Sequence, residues 1–179
     1  SFGLSYVIVE GNLGNVFVID PVNGNLTVNR LLDFESGDKT YRLTVKVADS
    51  GGLSTTAPIT VNVLDLNEPP VLTVNQPLNL NKAGTATITS TLLSATDQDA
   101  GQGPSQLTFT VVATPTHGTL RKGGTVVGVN GTFTQADINN GLISYQNDGS
   151  QTPGEGFTFT VSDGAGGTIG NRTFSINVT

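Results

Sequence analysis

The sequence predicts an all-β protein made of two tandem β-sandwiches joined by a short acidic linker. Short runs of alternating apolar and polar residues, separated by turn residues, recur along the chain, as expected for half-buried strands. Glycine supplies 23 of the 179 residues, which suits tight turns. Residues 65–70 (DLNEPP) interrupt the alternation with two carboxylates and two prolines. Because proline lacks an amide donor and fixes φ, no strand continues through this segment.

The first half of the chain is predicted to contain five strands and no helix. The strands are expected at residues 5–9, 16–19, 26–28, 41–47 and 59–63. Asn23-Gly24 lies between the second and third of them and is a hairpin signal. In the fourth, Tyr41, Leu43 and Val45 alternate with polar residues. This half is predicted to be one domain, residues 1–68.

The second half continues in the same way, and it is predicted to be a second domain, residues 69–179. Strands are expected at residues 72–74, 78–80, 86–88, 107–111, 142–145, 157–161 and 174–178. One helical turn is predicted at residues 134–138, with Thr134 as its N-cap, Asp137 three residues later and Gly141 as its stop. Each half is long enough for a modest core of its own.

Composition excludes several function classes. With 8 basic and 14 acidic residues, the net charge of −6 disfavours nucleic acid and favours divalent cations. The absence of cysteine excludes disulfides and thiolate chemistry. No apolar run approaches ~18 residues, so no membrane insertion is expected in this segment. The chain does not begin with methionine and has no visible signal peptide, so a piece of a longer or processed product is expected.

No catalytic site is predicted. His117 is the only histidine and lies in a Thr-Pro-Thr-His-Gly turn, where a structural role is expected. There is no Gly-x-Ser-x-Gly nucleophile motif. Sandwich loops rarely place two carboxylates across a cleft, as a glycosidase needs. The chain is therefore predicted not to be an enzyme.

Acidic residues collect at strand ends and in loops. Seven of the 14 do so: Asp33, Glu35, Asp65, Glu68, Asp97, Asp99 and Asp163. Calcium takes six to eight oxygen ligands from carboxylates, amides and carbonyls, which loops can supply. Turn formation alone also favours Asp and Asn, so it is their conjunction that predicts calcium. An EF-hand is excluded, because the twelfth position counted from Asp97 is Thr108.

Several motifs resemble a known family. Residues 5–70 resemble the later part of a cadherin repeat, through FVID at 17–20, NGNL at 23–26, LDFE at 32–35, YRLTV at 41–45, AD at 48–49 and the linker. Residues 71–179 resemble a chondroitin-sulfate-proteoglycan-type repeat, itself cadherin-like. The matching motifs are DQD at 97–99, PTHGTL at 115–120, FTQADI at 133–138, GLISY at 141–145 and FTFTVSDG at 157–164.

The resemblance implies Ig-like Greek-key sandwiches and up to three calcium ions at the linker. The implied ligands are Asp33, Glu35, Asp65, the Leu66 carbonyl, the Asn67 amide oxygen, the Glu68 carboxylate, the Pro69 carbonyl, Asp97, Asp99 and Asp163. Among these, Asn67, Asp97, Asp99 and Asp163 are implied for the innermost ion. The glutamate that the family supplies from its first strand has no counterpart here.

The resemblance also implies that the first domain lacks two of the seven strands of a cadherin repeat. We therefore expect an unpaired strand edge and an exposed apolar face formed by Tyr41, Leu43, Val45 and Val47. Asp49 is expected at the end of this domain opposite the linker.

These observations predict a calcium-rigidified repeat segment of an extracellular adhesin or stalk protein. Its partners are calcium, neighbouring repeats and, in some arrangements, other copies. Two alternatives stay open: a subunit of a self-assembling fibre completed by intermolecular strands, and an accessory module of a secreted polysaccharide-active enzyme. The sequence on either side separates them, since repeats favour a stalk and a catalytic domain favours an appendage. Asn25, Asn130, Asn171 and Asn177 begin Asn-x-Ser/Thr triplets, which matter only if the host glycosylates.

Overall fold

Short strands account for almost all of the regular structure, as the alternation predicts. The structure, a computed structural model, describes residues 3–152 and 154–179. The chain divides into two units, of which the first ends at Leu66 and the second begins at Asn67. Helical structure in the described residues is limited to a 3-10 turn at Leu13–Asn15 and one five-residue α-helix. The 3-10 turn lies in the first half of the chain, between two predicted strands, where no helix was predicted.

The first unit contains the five predicted strands. They are β1 (Leu4–Glu10), β2 (Phe17–Ile19), β3 (Leu26–Val28), β4 (Thr40–Asp49) and β5 (Ser54–Asn62). Strand β4 lies between β1 and β5 in an antiparallel sheet, and β2 pairs with β3 in a hairpin. The hairpin turns at Asn23-Gly24, where Gly24 has a φ of +75° that a side chain disfavours. Strand β5 begins five residues earlier than predicted.

A small core fills the first unit, and it corrects one expectation. Leu43 and Val45 are only 1% and 3% exposed, so the prediction that they line an exposed apolar face was wrong. Val16 and Phe17 pack on Leu43, and Ile8 of β1 lies opposite Val45. Strand β2 of the hairpin and the residue that precedes it, Val16, therefore cover this face. The other two members of the predicted face, Tyr41 and Val47, are half-buried.

The second unit is larger and contains three sheets. Its elements are β6 (Val71–Asn75), β7 (Leu78–Leu80), β8 (Thr85–Thr87), β9 (Leu93–Thr96), β10 (Thr108–Ala113), β11 (Gly118–Lys122), β12 (Thr125–Val126), β13 (Thr132–Thr134), α1 (Gln135–Asn139), β14 (Ile143–Asn147), β15 (Glu155–Ser162) and β16 (Thr168–Val178). The strand orders are β13-β10-β15-β16-β7, β12-β11-β14-β8 and β6-β9. Strand β7 runs parallel to β16, and the other strand pairs found among the described residues of this unit are antiparallel.

A repeated Thr-Phe-Thr pattern explains the core of the larger sheet. It occurs in β10, β13 and β15, and β16 carries the similar Thr-Phe-Ser. Because side chains alternate across a strand, the phenylalanines enter the core while the hydroxyls face outward. Phe109 stacks on Phe133 with ring centroids 5.1 Å apart and contacts Phe159 at 5.5 Å. Full burial of each ring contributes about 1.5–3 kcal/mol to folding.

Four strands of the second unit, β9, β11, β12 and β13, were not predicted. Three of them have four residues or fewer, too short for the alternation to stand out. Strand β11 has the pattern Gly-Thr-Leu-Arg-Lys, in which only Leu120 is buried. Their existence depends on pairing with distant strands, which local sequence does not encode.

The predicted helical turn is confirmed and has a reciprocal cap. The Thr134 hydroxyl accepts from the Asp137 amide, and the Asp137 carboxylate accepts from the Thr134 amide at 2.7 Å. Lys122 lies 2.7 Å from the same carboxylate. Burial raises the pKa of Asp137, but Lys122 and the Thr134 hydrogen bonds outweigh it and leave the pKa lowered.

A second buried carboxylate, Glu155, organises the turn that contains His117. It opens β15, is 6% exposed and accepts from the amides of Thr116, His117 and Gly156 at 2.8–3.0 Å. The His117 carbonyl in turn accepts from the Tyr145 hydroxyl at 2.8 Å. Burial raises the pKa of Glu155, but the amide donors outweigh it and lower the pKa overall.

Replacing Glu155 with Gln is expected to destabilise the second unit by about 1–3 kcal/mol at neutral pH. The glutamine NH₂ group replaces one carboxylate oxygen and cannot accept the backbone N–H groups that donate to that oxygen. The pKa of Glu155 is lower folded than unfolded, so its stabilising effect is complete above the ordinary glutamate pKa. That effect is lost as pH falls through the lowered folded value. Thermal unfolding from pH 7 to pH 3 should therefore show a smaller loss of stability for Glu155→Gln than for the parent. Parallel curves would contradict this role.

Candidate metal centre

The structure brings together the predicted ligands that belong to the second unit. Asn67 and Glu68 begin this unit, Asp97 and Asp99 follow β9, and Asp163 directly follows β15. Three segments far apart in sequence therefore meet, and hydrogen bonds connect them.

The Asp163 carboxylate joins two of these segments. It is 2% exposed, and its Oδ1 accepts from the amides of Ala165, Gly166 and Gly167 at 2.7–3.0 Å. Its Oδ2 accepts from the Asn67 amide nitrogen at 2.9 Å. Burial raises the pKa of Asp163, but the donors from Asn67 and the loop outweigh it and lower the pKa overall. Both oxygens are already used as acceptors, so Asp163 acts here as an anchor; its role as a direct ligand stays a prediction.

The loop after Asp163 contributes a residue that sequence reasoning missed. A Cβ on Gly167 would lie 2.2 Å from the Asp163 carboxylate and 2.7 Å from both the Glu68 carbonyl oxygen and the Pro69 Cα. Only glycine lets the loop approach the start of the unit this closely. The signal was present in the sequence, as the Gly-Ala-Gly-Gly run after Asp163, but its contact with residues 68–69 depends on the fold.

Asp97 and Asp99 form the other side of the centre. The Asp99 amide donates to Asp97 Oδ1 at 3.0 Å, and Asp99 Oδ2 accepts from the Glu68 amide at 3.0 Å. The remaining oxygens, Asp97 Oδ2 and Asp99 Oδ1, are buried and have no hydrogen-bond partner among the described residues. An ionised oxygen that is buried without a donor is costly unless a cation is near it.

The predicted ligands of the first unit lie in two places. Asp33 and Glu35 belong to the turn that precedes β4, and Asp65 and Leu66 lie at the C-terminal end of the unit. Asp33 accepts from the Glu35 and Ser36 amides at 2.9 and 3.1 Å. Hydrogen bonds from the Ser36 hydroxyl and amide are the main cause of its lowered pKa. Asp65 and Leu66 are exposed, as is Pro69 at the start of the second unit.

The donor set of the second unit fits calcium. The unit offers the two buried carboxylate oxygens of Asp97 and Asp99 that have no donor, and it offers Asn67 Oδ1, since it is the Asn67 nitrogen that donates to Asp163. These are hard oxygen ligands without nitrogen or sulfur, which suit Ca²⁺ better than a transition metal.

Comparisons with known proteins agree with the fold. A family profile described as Cadherin-like matches residues 70–178, and one described as Cadherin domain matches residues 3–64. Human Protocadherin Fat 4 is 30% identical over 163 residues, which cover 88% of this chain and 3% of that protein. Mouse Extracellular matrix organizing protein FRAS1 is 37% identical over 111 residues, covering 61% of this chain and 3% of that protein. The chain thus spans a small part of the curated relatives it matches.

Solved structures show the same architecture. Human Protocadherin-24 EC1-2 superposes with a TM-score of 0.63 at 19% identity, covering 99% of this chain and 82% of that one. Drosophila N-cadherin EC1-4 gives a TM-score of 0.64 at 21% identity, covering 100% of this chain and 42% of that one. At these identities the likeness supports the fold, two tandem cadherin-like sandwiches. No helix of the described residues has the length and hydrophobicity that crossing a membrane requires.

Replacing Gly167 with Ala is expected to destabilise the second unit by about 1–3 kcal/mol, because the methyl group overlaps the Asp163 carboxylate and the backbone at residues 68–69. Gly170 is the matched control, since a Cβ there meets no atom within 4 Å. Gly170→Ala should change stability by less than about 1 kcal/mol. Chemical denaturation of both variants measures the difference, and equal stabilities would contradict the close packing of this loop.

Proposed function

The chain belongs to the cadherin-like family, and on that premise we propose that it is a calcium-stiffened repeat segment of an extracellular adhesion or stalk protein. The relatives are named as protocadherins and as an extracellular matrix organizing protein, which supports a non-enzymatic, cell-surface role. The finer assignment of residues 71–179 to the chondroitin-sulfate-proteoglycan-type repeats is part of this proposal. It rests on the DQD, PTHGTL and FTFTVSDG motifs.

The observation that carries the proposal is the pair of buried, partnerless oxygens on Asp97 and Asp99. Asn67 Oδ1 and these two oxygens are the atoms we assign to calcium, with Glu68 and the Pro69 carbonyl as further ligands. Asp163 fixes the position of Asn67, and Asp99 fixes the backbone of Glu68. Asp33, Glu35, Asp65 and Leu66 of the first unit, and Asp163 as a direct ligand, stay predicted members of the set.

The mechanism is mechanical. Without a counter-charge, the carboxylates of Asp97 and Asp99 repel each other and resist burial, which loosens the start of the second unit. A bound calcium ion supplies the positive charge that offsets both costs. Because Asn67 and Glu68 directly follow the first unit, ordering them removes freedom from the connecting chain. Extracellular modules bind calcium at about 10⁻⁴–10⁻³ M, so external calcium keeps such a segment ordered.

Calcium should stabilise the chain without being required for its fold, because each unit has a core of its own. Binding to the native state alone adds about 1.4–2.7 kcal/mol at ten to a hundred times Kd. Thermal unfolding in calcium and in chelator measures this difference, with magnesium as the control ion. Identical midpoints in calcium and chelator would remove the basis of the calcium assignment.

Asp99→Ala should weaken calcium binding by at least about tenfold, a loss of about 1.4 kcal/mol. The variant loses a buried ligand oxygen and the acceptor for the Glu68 amide. Asp137→Ala removes a carboxylate of the same unit from the α1 cap and should cost about 1 kcal/mol of stability with calcium affinity unchanged. Calorimetric titration compares the two variants; equal calcium affinities would show that the wrong carboxylates are assigned.

A further inference from the structure

The turn that follows β9 contains another buried oxygen, which the proposed calcium set does not use. It is the side-chain oxygen Oε1 of Gln102, which is shielded from solvent and has no hydrogen-bond partner among the described residues. In both respects it matches Asp97 Oδ2 and Asp99 Oδ1. All of these oxygens come from one short segment, residues 97–102.

A tight turn brings Gln102 back towards Asp99. The Gln102 amide donates to the Asp99 carbonyl oxygen at 3.1 Å, which closes a four-residue turn. Gly101 occupies the third position of this turn with a φ of +91°, as in a type II turn. The Cα atoms of the first and fourth residues of such a turn lie within about 7 Å of each other. The side chain of Gln102 therefore starts beside Asp99.

The exposure of the segment separates its residues into two groups. The exposed residues are Gln98, Ala100 and Gly101. The half-buried or buried residues are Asp97, Asp99 and Gln102. The residues that carry the oxygens without donors are therefore the ones that the unit shields from solvent.

Other shielded side-chain amides of the second unit have donors for their oxygens. Gln135 Oε1 accepts from the Ala95 amide at 2.8 Å. Asn147 Oδ1 accepts from the amides of Ala83 and Gly149 at 2.8 and 2.9 Å. An amide oxygen that is buried without a donor is costly. The Gln102 oxygen thus lacks a partner of the kind that its counterparts have within the described part of the chain.

We propose that Gln102 Oε1 is a neutral ligand of the calcium ion assigned above to the two aspartates of this segment. This inference rests on the proposed function and adds a residue to its site. Calcium takes about six to eight oxygens and accepts amide oxygens among them. Together with Asn67 Oδ1, Glu68 and the Pro69 carbonyl, this oxygen brings the set supplied by the second unit to the lower end of that range.

A neutral ligand of this kind affects the choice between calcium and magnesium. Mg²⁺ is smaller, keeps several of its waters and demands near-ideal octahedral geometry, so it makes less use of an additional protein oxygen. Removing the Gln102 oxygen should therefore reduce calcium affinity more than magnesium affinity.

The test titrates the full chain by calorimetry with calcium chloride and, separately, with magnesium chloride. Gln102→Met keeps the length of the side chain but replaces its amide with a thioether, which is a poor ligand for a hard cation. It should weaken calcium binding by about tenfold or more, since losing even an outer partner of a metal site costs about that much, and it should weaken magnesium binding less. Gln98→Met changes an exposed residue of the same segment and should leave both affinities unchanged.

Thermal unfolding in chelator separates calcium binding from packing. Gln102→Met removes an oxygen that lacks a donor, so its midpoint in chelator should equal or exceed that of the parent. In calcium its midpoint should fall below that of the parent. Gln102→Glu restores a ligand oxygen and should tighten calcium binding more than Gln98→Glu, which adds the same charge to the same segment at an exposed position.

Two results would overturn the assignment of Gln102 while the parent still binds calcium. One is an unchanged calcium affinity of Gln102→Met. The other is an equal loss of midpoint in calcium and in chelator, which indicates a packing role or a bridging water. A parent chain that binds no calcium would instead overturn the proposed function, and this inference with it.

Discussion

The carboxylate of Asp163 is the constraint on which the organisation of the second unit depends. It accepts hydrogen bonds from three consecutive loop amides and from Asn67, 96 residues earlier in the chain. Those contacts attach the first residue of the unit to the end of β15. Gly167 makes the attachment possible, since any side chain there would occupy the space that the Asp163 carboxylate and the backbone at residues 68–69 need.

The same device stabilises the other end of β15. Glu155 opens the strand and accepts from the amides of Thr116, His117 and Gly156. At both ends of β15, hydrogen-bond donors lower the pKa of a buried carboxylate whose burial alone would raise it: backbone amides do so for Glu155, and the Asn67 side chain together with the loop amides does so for Asp163. The strand between them carries Phe157 and Phe159 of the core, so the charged anchors and the apolar interior position the same element. Loops that meet at such an anchor are held in place without a disulfide.

Asp97 and Asp99 differ from these anchors, and the difference points to their function. Glu155 and Asp163 have amide donors for their oxygens, whereas one oxygen of Asp97 and one of Asp99 are buried without a donor. Two carboxylate oxygens that are buried without a donor are costly unless a cation is near them, which supports the proposed metal site. The calcium ion that we propose would offset this cost at the point where the second unit begins.

The sequence alone determined the fold class, the strands long enough to show alternation, the cap of α1 and the acidic residues that meet at the start of the second unit. Each of these rests on local information: side-chain period, turn residues or a capping pattern within four residues. Only the tertiary structure decided the short strands β9, β11, β12 and β13, the burial of Leu43 and Val45, and the close approach of Gly167. It also decided that Asp163 is an anchor whose oxygens are used, while Asp97 and Asp99 keep oxygens available. These features depend on strand register and on contacts between segments distant in sequence, which no local pattern specifies.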